Sequence, residues 1–140
     1  ALDRAFAHAL SYERRYLALE FFLEWPRIDL AAKLVVDNPS QWEGRNYDIL
    51  APAAQTLEHE HPLAGSILYR ALIDDILGRA RSKAYGHAAR YLVRLDALAI
   101  SSDPDARAAS IPTHEDYRAT LRERHGRKTA FWAEVDRIAR

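Results

Sequence analysis

Apolar residues recur at helical spacing along most of the chain. In residues 63–77, Leu68, Leu72 and Ile76 repeat every four positions, which places them on one face of an α-helix. Residues 84–100 repeat the pattern, and no segment of useful length alternates apolar and polar residues as a half-buried strand does. The sequence therefore predicts an all-α protein.

The N-terminal stretch from Asp3 to Trp25 is rich in large apolar side chains. We expect it to form a long central helix that neighbouring helices cover on most sides. Pro26 suits the first turn of a second helix, where its missing N–H has no helical partner to lose. The Asn38-Pro39 pair predicts the end of that helix, because a residue before proline avoids the helical conformation.

Three signals divide the middle of the chain. Ser40 and Glu43 have the spacing of a capping box and predict the start of a third helix. Pro52 falls within that segment, where we expect a kink or a break. His61-Pro62 predicts the start of the fourth helix.

The C-terminal half contains one loop-like stretch of length, residues 101–112. Gly78 before it predicts a helix C-cap. Thr113 and Asp116 after it predict a second capping box, and Gly126 divides the last two helices or is tolerated within one. These boundaries give six or seven helices with short connections. Such helices form antiparallel hairpins, arranged like tetratricopeptide repeats or a short α-solenoid, although the spacing departs from the strict repeat.

Composition restricts the class of protein further. The chain has 140 residues, 49% of them hydrophobic, and contains neither cysteine nor methionine. We expect a single all-α domain over residues 1–140, and the absence of methionine favours a fragment of a longer protein. Lack of cysteine excludes disulfides and thiolate zinc sites and fits the cytoplasm, where we expect the protein. No apolar run is long enough to span a membrane, so no membrane partner is expected.

Charge is balanced overall but not along the chain. Residues 1–77 carry 12 Asp/Glu and 7 Lys/Arg, a net charge of −5, whereas residues 78–140 carry 13 Lys/Arg and 8 Asp/Glu, a net charge of +5. Either the two halves attract each other or a charged neighbour, or the basic half binds a polyanion. We favour attraction, because +5 is a low density for a nucleic-acid surface.

Two stretches resemble a known family when they are taken together. They are HPLAGSILYRALIDDILGRARSKAYGHAARYL at 61–92 and HEDYRATLRERHGRKTAFW at 114–132. They are similar to the C-terminal region of an uncharacterised bacterial all-helical family that is loosely associated with SWIM-type zinc-finger proteins. The resemblance covers about half of the chain and implies a tetratricopeptide-like scaffold. It implies no activity, because that family has none to carry over.

The segment RSKAYGH places Arg81 six residues before His87. This spacing resembles the motif of helical HEPN-type ribonucleases, in which the His acts as acid or base and the Arg steadies the phosphate. Ser82 departs from the pattern, because a polar amide or an acid usually follows the Arg. The alternative is a solvated loop and helix start, which we favour because two-residue motifs arise often by chance.

The segment RERHGRKTAFW, residues 122–132, puts cations beside Phe131 and Trp132. Single-strand binding uses this combination, but the spacing of Phe131 to Val135 and Ile138 places these residues on one helix face. We therefore expect packing rather than stacking on bases.

Other possible reactive groups have no supporting pattern. His59 and His61 are two apart and do not share a helix face, so no metal site is predicted. Asp74 and Asp75 diverge as helix neighbours and are not assigned catalysis. No phosphate loop or dinucleotide fingerprint occurs, so we expect no cofactor and favour a role without enzymatic activity.

The sequence therefore favours a protein-interaction or scaffold module whose partner is another protein or another part of the same chain. The residues expected on its binding face are Tyr69, Arg70, Asp74, Tyr85, His87, Arg90 and Arg94. The competing interpretation is a nucleic-acid-binding module, with ribonuclease activity through Arg81 and His87 as its most specific form. The cations expected to bind nucleic acid are Arg79, Arg81, Lys83, Arg124, Arg127 and Lys128.

Overall fold

The chain folds into helices with short connections. The computed structural model describes residues 2–24 and 27–140, and for residues 2–10 it describes the backbone only. The described residues form seven α-helices, which are α1 (Leu2–Glu24), α2 (Ile28–Asp37), α3 (Tyr47–Leu57), α4 (Pro62–Gly78), α5 (Tyr85–Ala108), α6 (His114–His125) and α7 (Thr129–Ala139). Two short 3₁₀ helices, Gly44–Asn46 and Ser82–Ala84, precede α3 and α5. No strand occurs between residues 2 and 24 or between 27 and 140. The all-α prediction is confirmed, whereas the tetratricopeptide-like arrangement stays a prediction.

Helix α4 is the centre of the core. Its residues are apolar or small around nearly the whole circumference, and every residue from Leu63 to Arg70 is buried. Helices α2, α3 and α5 pack around it. A helix that is apolar on all sides is stable only when other elements cover all sides, which explains the position of α4.

Helix α1 is not the central helix that its large side chains predict. It packs on α2 and α3 through Tyr16 and Leu19, both buried. Leu17 and Phe21 remain 65% and 54% exposed. The prediction was wrong because it counted large apolar groups without requiring that they surround the helix.

Helices α4 and α5 run antiparallel. Pro62 at the start of α4 lies beside Ala108 at the end of α5. Ile76 near the end of α4 lies beside His87 near the start of α5. The turn between them, residues 79–84, therefore sits at one end of the core, where the start of α3 also lies.

Helix α5 continues through most of the segment predicted to be a loop, 101–112. The connection to α6 is confined to residues 109–113. Ser102 and Ala106 are four residues apart, share one helix face and are buried. We infer that this packing outweighs the hydrogen bond that Pro104 cannot donate, so the loop prediction was wrong for its first eight residues.

Several predicted boundaries are confirmed. Helix α2 ends just before Asn38, and Pro62 is the first residue of α4. Thr113 and Asp116 form the predicted capping box at the start of α6. Gly126 lies between α6 and α7 and separates them.

The capping box predicted at Ser40 does not form. A capping box needs the Ser40 side chain to accept the backbone N–H of Glu43, but that N–H donates to the Tyr16 hydroxyl at 2.9 Å. Helix α3 consequently starts later, at Tyr47, and it continues through Pro52 without a break. The predicted helix start at Pro26 lies outside the described residues.

Candidate functional site

A cleft of about 710 Å³ lies at the end of the core where α4 turns into α5. Leu72 and Ile76 of α4 and Ala84 of the linker give it an apolar floor, and half-buried Tyr91 of α5 closes one side. A cleft of this size and composition accommodates one or two large side chains of a ligand.

The linker that borders the cleft is shaped by the end of α4. The backbone N–H of Ala80 donates to the carbonyl of Leu77 and that of Arg81 donates to Ile76, both at 3.1 Å. These bonds form a Schellman motif, whose left-handed residue is Ala80, with a φ of 51°. The C-cap prediction for Gly78 is thus wrong by one position, because Gly78 is the last helical residue and Arg79 is the C-cap.

The Schellman motif turns the linker back over Asp75. Arg79 Nε lies 3.0 Å from one carboxylate oxygen of Asp75, and Arg81 Nη1 lies 3.8 Å from the other. Two of the cations predicted to bind nucleic acid therefore share one nearly buried carboxylate. Lys83 is exposed on the same rim.

Arg81 and His87 line the same cleft, as the ribonuclease motif requires. Their hydrogen bonds do not converge, however, because His87 Nδ1 lies 2.7 Å from Arg90 Nη2. Arginine only donates, so Nδ1 accepts and the neutral ring carries its proton on Nε2. The imidazole therefore has a single free edge for a ligand.

Tyr47 and Gly44 are among the cleft residues that the sequence-based prediction missed. Tyr47, at the start of α3, is 58% exposed and stands opposite the linker. Gly44 packs directly on α4, where an added Cβ would lie 2.3 Å from the Ala71 carbonyl oxygen. This close approach brings Tyr47 to the cleft, and no local pattern in the sequence indicates it.

Four residues expected on the binding face are engaged by the domain itself. Tyr69, Arg70 and Tyr85 are buried, and Arg94 pairs with buried Glu58. Tyr85 packs against Phe131, with ring centroids 6.1 Å apart. Buried side chains offer no surface to a partner, so the prediction was wrong for Tyr69, Arg70 and Tyr85. Their burial follows from their position on or beside the central helix.

Arg70 shows how such a cation is held inside the fold. Its Nη1 donates to the carbonyl of Pro112 at 2.8 Å, and its guanidinium lies 5.1 Å from the centre of the Tyr117 ring. Burial lowers the pKa of Arg70, and Tyr117, Asp103 and Asp74 oppose that shift. The side chain fixes α6 onto α4 and is a structural residue.

Asp74 connects this end of the core to the second basic segment. The hydroxyl of Tyr117 donates to its Oδ1 at 2.8 Å. Asp74 keeps an exposed edge, but the protein packed around its carboxylate raises its pKa, against the effects of Tyr117, Arg124 and His125. The basic α6–α7 turn therefore lies beside Asp74, next to the hollow that Asp74 shares with Asp75.

The packing interpretation of residues 122–132 is confirmed. Phe131 and Trp132 are buried, with 0% and 6% of their surface exposed. Arg122 covers the Trp132 ring with its guanidinium carbon 3.7 Å from the ring centre. The indole N–H donates to the carbonyl of His125 at 3.0 Å. Neither ring is free to stack on a base.

Within the part of the chain that the structure describes, no group of three His, Asp or Glu residues is placed to hold a metal ion. None of the described helices is both long enough and apolar enough to cross a membrane.

A family model described as a family of unknown function, DUF6880, matches residues 1–134. The chain belongs to the DUF6880 family. The match extends over the first 60 residues, which the sequence resemblance did not place, and it ends one residue before buried Val135 of α7 in this DUF6880 domain. No curated protein and no solved structure matches the chain.

Proposed function

We propose that this DUF6880 domain is a protein-recognition module whose cleft binds an extended acidic segment of a partner protein, with a large apolar side chain at the centre of that segment. The observation that carries the proposal is an apolar floor beneath a cationic rim. Leu72 and Ile76 form the floor, while the cations Arg81 and Lys83 stand at the rim beside the neutral His87. Apolar anchors in pockets supply most of the affinity of interfaces, and complementary rim charges supply specificity.

The floor favours a protein segment over a nucleic-acid strand. Tyr47 is the most exposed large hydrophobic side chain of the cleft, but Leu72 and Ile76 offer no hydrogen bonds to base edges. Asp75 also neutralises part of the charge of Arg79 and Arg81. A nucleic-acid strand depends on many free cations for its affinity, whereas a peptide with an apolar anchor depends on them less.

The proposal extends to the setting of the domain. The partner is another protein or another part of the same chain, and the helices form a tetratricopeptide-like scaffold that supports the cleft. The resemblance to the C-terminal region of bacterial proteins associated with SWIM-type zinc fingers supports a role within a larger cytoplasmic assembly. The antiparallel α4 and α5 supply the rigid frame on which the binding residues are mounted.

Fluorescence anisotropy tests the proposal directly. The probe is a fluorescein-labelled acidic peptide with one central tryptophan, compared with the same peptide carrying alanine at the centre. We expect the tryptophan peptide to bind, and Tyr47→Ala to weaken binding about tenfold. Ile100→Ala is the matched control, since Ile100 is 89% exposed and lies in the second half of α5. Equal affinity for both peptides would rule out the apolar anchor.

The rim needs its own pair of variants. Lys83→Glu reverses an exposed charge at the cleft, whereas Arg107→Glu reverses one in the last turn of α5. Along the helix axis the two sites are about 30 Å apart, from the rise of an α-helix. We expect only Lys83→Glu to weaken peptide binding. If both variants weakened it equally, the rim charges would contribute only non-specific electrostatic attraction.

A second candidate is nucleic-acid binding with ribonuclease activity, favoured by the presence of Arg81 and His87 in one cleft. A mobility-shift titration with short single-stranded RNA and DNA at two salt concentrations tests binding. Incubation with RNA tests cleavage, which His87→Ala and Arg81→Ala would each abolish. A shift that does not depend on salt, or the absence of any shift, ends this candidate.

A further inference from the structure

The turn between α6 and α7 forms a small basic hollow that is separate from the cleft. Residues 122–128 line a concavity of about 570 Å³. The segment contains four cations, one histidine and a single acidic residue, Glu123. Its charge is thus concentrated within seven residues of one turn.

These cations are less compensated than those of the linker. Arg124, Arg127 and Lys128 form no ion pair with any side chain that the structure describes. By contrast, Arg79 and Arg81 share Asp75. The turn therefore has three cations without an ion-pair partner among the described residues, whereas the linker has one, Lys83.

His125 reports the potential in this hollow. Burial is the main cause of its lowered pKa. The charges of Lys128 and Arg124 lower the pKa further, and the charge of Asp74 opposes them. Its Nδ1 atom is buried and has no hydrogen-bond partner among the described residues. A hollow lined by unpaired cations is suited to an anion.

The aromatic neighbour excludes one kind of anion. Trp132 is buried beneath Arg122, and its indole N–H is taken by the carbonyl of His125. A single nucleic-acid strand held at this turn would find no ring on which to stack a base. The compact group of cations instead matches one multiply charged group, since arginine forks bind phosphate oxygens in pairs.

We propose that the α6–α7 turn binds a phosphate monoester on a phosphorylated side chain of the partner protein. This inference rests on the proposed function, because the phosphate belongs to the segment that occupies the cleft. Neighbouring residues connect the two sites. Asp75 lines the cleft, and Asp74 and Asp75 line the hollow beside it. The charges of Arg124 and His125, on the α6–α7 turn, lower the pKa of Asp74.

The first test uses inorganic phosphate alone and does not depend on the peptide. Proton NMR of the whole chain follows the titration of His125 with and without phosphate, with acetate as the comparison anion. We expect phosphate, and not acetate, to raise the pKa of His125 and to shift the amides of residues 122–128 saturably. We expect the double variant Arg124→Gln with Lys128→Gln to abolish the response to phosphate. The single variant Arg124→Lys should retain part of it, and the control Arg107→Gln should leave it unchanged. No saturable shift overturns the site.

The second test uses the tryptophan peptide with either serine or phosphoserine beside the acidic flank. We expect phosphorylation to tighten binding about tenfold, from charge-assisted hydrogen bonds to arginine. The gain is lost in the double variant, while the dependence on Tyr47 remains. Equal affinity for both peptides would overturn the proposal that the partner is phosphorylated. Tighter binding of a single-stranded oligonucleotide would overturn it as well. If neither peptide binds but phosphate still shifts His125, the proposed function fails and the anion hollow stands by itself.

Discussion

Arg94 donates from Nε to Oε2 of Glu58 at 2.8 Å, and this pair joins the two halves of the chain that carry opposite net charge. The hydroxyl of Tyr69 donates to the same oxygen at 2.9 Å. Asp75 makes a second connection of this kind through Arg79 and Arg81. The charge asymmetry of the sequence thus serves, at least at these positions, to hold the domain together, as the attraction interpretation predicts.

Glu58→Gln is expected to lower the free energy of unfolding at pH 7. Burial alone would raise the pKa of Glu58, but the hydrogen bonds from Arg94 and Tyr69 outweigh it and lower the pKa. A carboxylate with a lowered pKa stabilises the fold above its unfolded pKa and loses this contribution as the pH falls through its folded pKa. We expect a loss of about 1–2 kcal/mol at pH 7, measured by urea unfolding, because charge-assisted bonds disappear.

The control for this variant is Glu123→Gln. Glu123 is exposed and has no ion-pair partner among the described residues, so we expect little change in stability. Below about pH 4, near the unfolded pKa of glutamate, the difference between wild type and Glu58→Gln should shrink. A difference that stays constant down to acid pH would contradict the role given to the ionised carboxylate.

Asp74→Asn is expected to raise the free energy of unfolding at pH 7, in contrast to Glu58→Gln. Because its folded pKa is raised, Asp74 contributes stability below its unfolded pKa, and this contribution is lost as the pH rises through the folded pKa. The asparagine oxygen still accepts the Tyr117 hydroxyl. We expect the variant to be more stable than wild type at pH 7 and to lose that advantage in acid, as followed by thermal unfolding. Lower stability at pH 7 would show that the charge attracts Arg124 more than burial disfavours it.

Gly78→Ala and Gly44→Ala are expected to change stability in opposite directions. Nothing lies within 4 Å of a Cβ at Gly78, which is helical, so alanine should add about 1 kcal/mol. A Cβ at Gly44 would lie 2.5 Å from Asp75 Cβ, so alanine should destabilise the domain by about 1–3 kcal/mol. Urea unfolding measures both. Destabilisation by Gly78→Ala would mean that Gly78, and not Ala80, occupies the left-handed position.

The fold class could be predicted because helical periodicity and caps are local properties. The capping box of Thr113 and Asp116 involves only residues within one helical turn, so it could be predicted from the local sequence alone. The box at Ser40 failed because Tyr16, 27 residues away from Glu43, takes the donor that it needs. The loop before α6 was placed too early because the burial of Ser102 depends on tertiary packing.

The candidate site was predicted in part. Arg81, Lys83 and His87 were identified because they are close in sequence, and the cleft gathers them. Tyr47 was missed, since it reaches the cleft through the packing of Gly44 on α4. Tyr69 was assigned to the surface because the polar tip of a tyrosine looks the same in sequence whether its partner is solvent or a buried glutamate.

The central claim is that the cleft recognises an acidic protein segment with an apolar anchor, and an amide chemical-shift map tests it most directly. The whole chain, labelled with ¹⁵N, is titrated with the acidic tryptophan peptide and, separately, with a short oligonucleotide. We predict saturable shifts from the peptide at Tyr47, at the linker 79–84 and at His87, with the apolar floor beneath them. No saturable shift with the peptide, shifts confined to the exposed face of α1 around Leu17, or saturation with the oligonucleotide alone would contradict the account.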